Sequence, residues 1–156
     1  MDQNQLPELV RLSLQAEEQS LRDCNEITAK YGLSLSGAQI RALTERRFGA
    51  LRDTGRIEFG GGILKKLIVA FCDSPYLEPD SYEETLCDLQ DSFYYYKNEF
   101  RDQIADDELI DLLKRVFDGR AQGSADYLAG LSPEELCRYA REPYDPEDED
   151  SSGDLF

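Results

Sequence analysis

The segment 81–100, SYEETLCDLQDSFYYYKNEF, decides the fold class of this chain. Its large apolar residues recur at intervals of four, three, four, three and four positions, which is the spacing of one face of an α-helix. Ser81 and Glu84 have the spacing of a capping box, which predicts that the helix begins there. We expect this helix to be the longest and to lie at the centre of the fold, with these residues facing inward: Tyr82, Leu86, Leu89, Phe93, Tyr96 and Phe100.

Helical patterns extend outward from this segment in both directions. Pro7 suits the first turn of an opening helix, and Gly32 and Gly55 are suited to end the first and second helices. Capping boxes at Ser36 with Gln39 and at Ser132 with Glu135, and a cap at Asp106, predict three further helix starts. The residues expected to face inward there are Val10, Leu14, Leu21, Cys24, Tyr31, Ile40, Leu43, Phe48, Leu51, Ile63, Leu64, Leu67, Ile68, Phe71, Leu109, Ile110, Leu113, Val116, Phe117, Leu136, Tyr139 and Ala140.

Two short segments of alternating polarity, GLSLS at 32–36 and RIEF at 56–59, flank the second helix and could pair as a two-stranded β-ribbon. From residue 143 onward the sequence PYDPEDEDSSGDLF has little to bury. We therefore predict a mainly α protein, a compact bundle of about six helices with room for one small β-ribbon. Residues 1–142 form this single domain, and residues 143–156 form a disordered acidic tail.

Acidic residues dominate the charge of the whole chain. There are 33 acids and 17 bases, which give a formal net charge of −16. Such a field opposes binding to nucleic acid or to an anionic membrane and attracts basic partners. We therefore expect an unknown protein partner, basic in character, or a second copy of the chain, and neither nucleic acid nor membrane. The N-terminus MDQNQLPELV lacks the basic and apolar regions of a signal peptide, which favours the cytoplasm.

Histidine is absent from the chain, which excludes Ser-His-Asp and Cys-His catalysis by this chain alone and mixed cysteine–histidine zinc sites. The four cysteines, at positions 24, 72, 87 and 137, contain no C-x-x-C pair. We expect them to be unpaired buried thiols of a reducing compartment. No catalytic residue and no cofactor is predicted.

Three consecutive glycines, Gly60, Gly61 and Gly62, precede a helix whose first turn carries Lys65 and Lys66. The stretch fails the phosphate-loop motif because glycine stands where the lysine is needed, and no Ser or Thr follows. Backbone N–H groups and two lysines could still hold an anion or a nucleotide. A tight turn that needs unusual backbone angles is the interpretation we favour.

A stripe of carboxylates runs along the segment 81–100. Glu84, Asp88 and Asp91 are spaced at i, i+4 and i+7 and so share one side of the helix. Hard cations such as Mg²⁺ or Ca²⁺ take oxygen ligands, which makes the stripe a candidate metal site. A solvated helix face is the simpler interpretation, and we favour it.

Tyrosines and arginines supply the candidate interaction residues. Phe93 and the three tyrosines after it span more of the helix circumference than one buried stripe can hide. Either helices surround this helix on most sides, which is the interpretation we favour, or Tyr94 and Tyr95 reach the surface and are candidates for protein contacts. Arg46 and Arg47 belong to the segment 41–66, which has seven bases and three acids. This basic segment could dock on the carboxylate stripe within one chain or between two, or it could be an ordinary mixed-charge surface.

Four stretches, GRIEFGGGILKKLI, FCDSPYL, TLCDLQDSFYYYKNE and DDELI, together resemble an uncharacterised bacterial family, a domain of unknown function seen mainly in Gram-positive anaerobes. The resemblance covers roughly residues 25–139. It implies a bacterial cytoplasmic setting and supplies no activity, cofactor or catalytic residue.

Three functions are compatible with these patterns. The first is a non-enzymatic helical adaptor or regulator whose acidic surface meets a basic partner or a second copy. The second is an enzyme or nucleotide-binding protein that uses the loop 60–62 with Lys65 and Lys66. The third is an acidic mimic of DNA, which the basic segment 41–66 makes awkward.

Overall fold

Residues 5–56 and 63–142 are described by a computed structural model, with the side chains of residues 5–11, 13 and 14 excepted. The described residues contain α-helices, two short 3-10 helices and no strand, so the mainly α fold is confirmed. The α-helices are α1 (Gln5–Thr28), α2 (Gly37–Thr54), α3 (Leu64–Phe71), α4 (Tyr82–Glu99), α5 (Asp106–Asp118), α6 (Ala125–Ala129) and α7 (Pro133–Arg141).

Helix α4 lies at the centre of the bundle, as its sequence predicts. It packs against α2, α3, α5 and α6, while α1 packs on α2 and α3, and α7 packs on α5. The expectation that α4 is also the longest helix is wrong, because α1 has 24 residues and α4 has 18. The described part of α1 buries a narrow apolar edge, Leu21 and Cys24, which docks the helix on the bundle.

Two of the three predicted capping boxes are present. Ser36 with Gln39 and Ser132 with Glu135 each exchange both side-chain to backbone hydrogen bonds. The predicted box at Ser81 is wrong. A 3-10 helix, Pro79–Ser81, runs directly into α4 and gives Ser81 a φ of −114° and a ψ of 11°, without a side-chain cap bond. An N-cap residue needs extended backbone for its side chain to reach the N–H groups of the first turn.

The predicted cap at Asp106 is wrong by one position. Ala105 is the extended residue before α5, and Asp106 is the first helical residue. Its carboxylate instead lies 2.6 Å from Nζ of Lys97 on α4. The ion pair holds the start of α5 against the central helix and places a carboxylate where the helix dipole favours it.

The way α1 ends explains why the prediction that Tyr31 faces inward is wrong. Helix α1 ends at Thr28 and continues as a 3-10 helix, Ala29–Tyr31, before Gly32. A 3-10 helix has three residues per turn, which rotates Tyr31 away from the apolar edge of α1. Tyr31 is 46% exposed, contrary to the prediction that it faces inward. Gly55 ends α2 as predicted, with a φ of 67° that suits glycine.

Two clusters of buried side chains form the interior. One is built mainly by α3, α4, α5, α6 and α7, and the other joins α1 and α2 to α3 and α4. The periodicity predicts most of their members, including all five inward positions of α5. Phe48, Phe100 and Tyr139 are half-buried.

The first segment of the predicted β-ribbon is not a strand, although both of its leucines are buried. The side chain of Asn25 accepts a hydrogen bond from Leu35 N at 2.9 Å and donates one to Leu35 O at 3.0 Å. The amide thus pairs with both backbone groups of Leu35, as a neighbouring strand would. Residues 57–59 of the second segment and the predicted tail at 143–156 lie outside the described residues.

Candidate functional site

Tyr95 stands between two clefts on the outer side of α4. One cleft, of about 310 Å³, lies between α4 and α6, and the other, of about 280 Å³, lies between α2 and α4. Tyr95 and Asp91 line both of them. We call this surface the Tyr95 face and define it by its aromatic residue and the acidic residues of the two clefts: Asp53, Asp88, Asp91, Tyr95, Glu99 and Asp126.

The ring of Tyr96 supports the exposed ring of Tyr95. Phe93, Tyr94 and Tyr96 are each at most 1% exposed because helices surround α4, whereas Tyr95 is 47% exposed. The ring of Tyr95 packs edge-to-face on Tyr96, with centroids 5.0 Å apart. The two interpretations of the tyrosine run were burial on most sides of α4 and exposure of one or two tyrosines. Tyr94 and Tyr96 are buried, and Tyr95 is exposed. The prediction of Tyr94 as a contact residue is corrected by its burial.

The hydroxyl of Tyr96 anchors this part of α4 to the chain around α6. It lies 2.6 Å from Leu128 O and 2.7 Å from Leu131 O, and it donates to these carbonyl oxygens. Burial, above all, raises the pKa of Tyr96 to about 12. The ring beneath Tyr95 is therefore fixed at both ends, which gives the exposed tyrosine a rigid base.

Carboxylates crowd the cleft between α4 and α6. Partial burial, followed by the charges of Glu84, Asp91 and Asp126, raises the pKa of Asp88, and Arg46 acts in the opposite direction. Arg46 itself donates to Asp91 at 2.5 Å. Since one arginine faces several carboxylates, the cleft retains a field that favours a further cation.

The predicted metal ligands Glu84, Asp88 and Asp91 do not converge. Across residues 5–56 and 63–142, no three Asp, Glu or Cys side chains are placed so that they could hold a metal ion. Glu84 is exposed, while Asp91 is engaged by Arg46. A calcium or magnesium site needs several oxygens on one centre, and a stripe along one helix does not supply them.

The two predicted arginines of α2 have opposite surroundings. Arg46 forms one ion pair with the carboxylate stripe within the chain, at 2.5 Å from Asp91, a contact that an ordinary mixed-charge surface would also contain. Arg47 is 2% exposed and donates to Glu17 of α1 at 2.8 Å, which corrects its prediction as a surface contact residue. Arg47 lies four positions from both Leu43 and Leu51, and so shares their buried face.

Lys65 and Lys66 lie exposed in the first turn of α3, while Gly60, Gly61 and Gly62 fall outside the described residues. Lys66 pairs with Asp107 of α5 at 3.0 Å, and this hydrogen bond raises the pKa of the lysine. Both lysines border a cleft of about 690 Å³ between α3 and α5. The anion site stays a prediction, and the turn at 60–62 does as well.

The family comparison agrees with the resemblance. A family model described as a family of unknown function, DUF6323, matches residues 20–146. The chain belongs to this family. The DUF6323 match extends from within α1 to beyond α7, and so includes the whole Tyr95 face. The comparison with curated proteins found no match, and the comparison with solved structures found none.

Cys24 and Cys72 of this DUF6323 chain are buried, whereas Cys87 and Cys137 are half-buried, which corrects the prediction that all four thiols are buried. Burial raises the pKa of the thiols of Cys24, Cys72 and Cys87. A raised pKa keeps a thiol protonated near neutral pH, where only the thiolate is a good nucleophile or metal ligand. Cys24 and Cys72 therefore serve as small apolar groups of the interior, and Cys87 packs against its edge.

Sequence reasoning missed two participants of this region. Glu17, the buried partner of Arg47, lies four and seven positions before Leu21 and Cys24, so its place on the apolar edge of α1 was a signal for burial. Asp126 of α6 is brought to the α4 stripe by tertiary packing, for which the sequence holds no local signal.

None of the described helices is both long enough and apolar enough to cross a bilayer.

Proposed function

We propose that this DUF6323 protein is a non-enzymatic interaction protein that binds a basic segment of another protein across its Tyr95 face. The observation that carries the proposal is the placement of one exposed tyrosine between two clefts bordered by acids. We also propose a cytoplasmic setting, because four unpaired thiols suit a reducing compartment.

The chemistry of the face suits lysine and arginine side chains. A guanidinium or ammonium group that enters the cleft between α4 and α6 meets Asp88 and Asp126, while Asp91 is already engaged by Arg46. The face of the Tyr95 ring attracts a cation, by about 0.5–1 kcal/mol at an exposed site. An arginine that stacks on the ring can therefore also reach a carboxylate.

The second cleft extends the surface toward α2. Asp53 and Glu99 border it, with Ala50 and Thr54 between them on the α2 side. One residue of the partner would contact the ring of Tyr95. Basic residues before and after it in the partner would then enter the two acidic clefts, one on each side of the ring. The rigid base under Tyr95 keeps the entropy cost of binding low, because few rotatable bonds need to be fixed.

The alternative function, nucleotide or anion binding through Gly60–Gly62 with Lys65 and Lys66, meets one opposing observation. Lys66 already has a carboxylate partner, Asp107, although this exposed pair can be displaced at a cost of at most about 1 kcal/mol. An enzyme could not use Ser-His or Cys-His catalysis by this chain alone, since histidine is absent. Burial also raises the pKa of three of the four thiols.

Selection from a library of random short peptides displayed on phage tests the proposed chemistry. We expect the selected peptides to be enriched in lysine and arginine. Their binding to the Asp88→Asn/Asp126→Asn variant should be weaker by about tenfold, since loss of two nearby charges removes about 1–2 kcal/mol.

The charge-matched control is Glu26→Gln/Glu108→Gln, which neutralises two exposed acids on α1 and α5. It should leave the affinity of the selected peptides nearly unchanged. Equal losses in both variants would show that net charge alone attracts the peptides. Selected peptides without an excess of basic residues would contradict the proposal.

A further inference from the structure

The cleft between α3 and α5 has an apolar floor and a basic rim. Val69, Ala70 and Ile110 form the floor, and Val69 is 43% exposed. We call it the lysine groove after the three bases that line it: Lys65, Lys66 and Lys114. Asp107 and Asp111 also line it, so three bases and two acids meet in the groove, within a chain of net charge −16.

Two of the lysines are available to a new partner. The Lys66–Asp107 pair is exposed, at 51% and 82% for the two side chains. Exposed pairs contribute about 0–1 kcal/mol, so this one can exchange its carboxylate at little cost. Lys65 is exposed and forms no ion pair with a described residue. Lys114 is less accessible, because Asp73 and Asp118 hold it at 2.8 and 2.9 Å.

Residues 143–156 of the same chain, PYDPEDEDSSGDLF, match both parts of this groove. The segment has six acids and no base, and its last acid is followed by Leu155 and Phe156. The acids complement the lysine rim, and the two apolar side chains complement the floor. The Tyr95 face, which is bordered by acids, would repel the same segment.

The segment starts close enough to reach the groove. Glu142 and Gln103 line one cleft, and Gln103 precedes Asp107 of the groove by four residues, a span of at most about 14 Å. The thirteen residues from Glu142 to Leu155 can extend over about 43 Å. The cleft at Glu142 also contains Arg101, Arg138 and Arg141, which can receive acids along the route.

We propose that residues 143–156 fold back and bind the lysine groove of their own chain. Acids of the segment pair with Lys65 and Lys66, and Leu155 and Phe156 cover Val69 and Ile110. The segment would then be a bound arm in place of the disordered tail that its composition predicts. This proposal is independent of the function proposed for the Tyr95 face.

A single fluorophore tests this proposal in the full chain. The protein has no tryptophan, so Phe156→Trp introduces one reporter at the position that should cover the groove floor. We expect its emission to be blue-shifted from that of a solvent-exposed tryptophan, and the shift to be the same at all protein concentrations. Adding Lys65→Gln/Lys66→Gln should return the emission to the solvent-exposed wavelength.

The matched control adds Arg22→Gln/Lys30→Gln, which removes two exposed bases that do not line the groove, one in α1 and one in the 3-10 helix after it. The blue shift should persist in that background. A solvent-exposed emission in Phe156→Trp alone would overturn the proposal, and so would a blue shift that survives the loss of both groove lysines. A shift that grows with protein concentration would overturn it too, since it would place the segment on a second copy.

Discussion

Helices α2 and α4 each carry a buried and an exposed residue of the same type next to each other. We call the buried side of these helices the inner side and the exposed side the outer side. Arg47 and Tyr94 are 2% and 1% exposed, whereas the adjacent Arg46 and Tyr95 have exposed side chains. One position along an α-helix is a rotation of about 100°, so neighbours in sequence face different surroundings. The inner side chains contribute to stability. Of the outer ones, Arg46 pairs with Asp91, and Tyr95 is accessible to another molecule.

The two ion pairs of α2 show the energetic side of this difference. The Arg47–Glu17 pair is 2% exposed at both side chains, while the Arg46–Asp91 pair is 52% and 42% exposed. A buried pair is costly to break because the remaining charge has no water around it. An exposed pair is screened by water and salt, and its loss matters little to folding.

The largest expected effect comes from breaking the inner pair. Arg47→Met leaves the carboxylate of Glu17 buried without its arginine, so the free energy of unfolding should fall by about 3–5 kcal/mol. Arg46→Met, one position away, should change it by less than about 1 kcal/mol. Urea denaturation followed by circular dichroism measures both variants.

The double variant Glu17→Met/Arg47→Met separates a lost charge partner from lost packing. Because it removes both buried charges, it should recover most of the stability that the single Arg47 variant loses. If Arg46→Met and Arg47→Met cost the same, the contrast between the inner and outer sides would be wrong.

A smaller effect is expected from the hydroxyl beneath Tyr95. Tyr96→Phe removes the donor to Leu128 O and Leu131 O, and a buried acceptor that loses its partner costs about 1–3 kcal/mol. Tyr95→Phe on the outer side should have almost no effect on stability. Thermal and urea unfolding of the two variants compare them directly, and an equal loss in both would place Tyr95 among the structural residues.

The smallest expected effect has the opposite sign. Asp88→Asn should raise the free energy of unfolding at neutral pH by about 0.2–0.5 kcal/mol, because it relieves like-charge repulsion with Glu84. Since the pKa of Asp88 in the folded protein lies above its ordinary 3.8, protonation of this carboxyl favours folding. That contribution is complete below pH 3.8 and is lost as the pH rises through the raised pKa.

The free energy of unfolding, measured from below pH 3.8 up to neutral pH, therefore tests whether ionisation of Asp88 destabilises the fold. The advantage of Asp88→Asn over the wild type should appear as the pH rises above about 3.8 and vanish below it. Asp91→Asn is the control, because it removes the partner of Arg46 and should lower stability slightly. A destabilising Asp88→Asn at neutral pH would show that this carboxylate has a stabilising partner.

Local patterns predicted the helices well because each helix needs only its own periodicity and caps. The inward positions of α5 and the capping boxes at Ser36 and Ser132 follow from a few neighbouring residues. Ser81 fails as a cap because the preceding 3-10 helix sets its backbone, and a spacing rule does not include that turn.

The candidate site was harder to predict because it depends on distant segments. The burial of Arg47 depends on Glu17, thirty positions earlier, and the cleft beside Tyr95 depends on where α6 places Asp126. A run of three tyrosines does not itself indicate which one reaches the surface. The neighbours of α4 decide that, and they are set by the packing of the whole bundle.

The central claim is that the outer side of the α2–α4 contact recognises a basic partner, and two tyrosines of equal exposure test it. Tyr95 is 47% exposed on this face, and Tyr31 is 46% exposed at the end of the 3-10 helix that follows α1. Calorimetric titration with one basic peptide selected on the wild type should show an affinity loss of about tenfold or more for Tyr95→Ala, which is about 1.4 kcal/mol. Tyr31→Ala should bind as the wild type does, and both variants should keep wild-type stability. Unchanged affinity in Tyr95→Ala, or equal losses in both variants, would contradict the account.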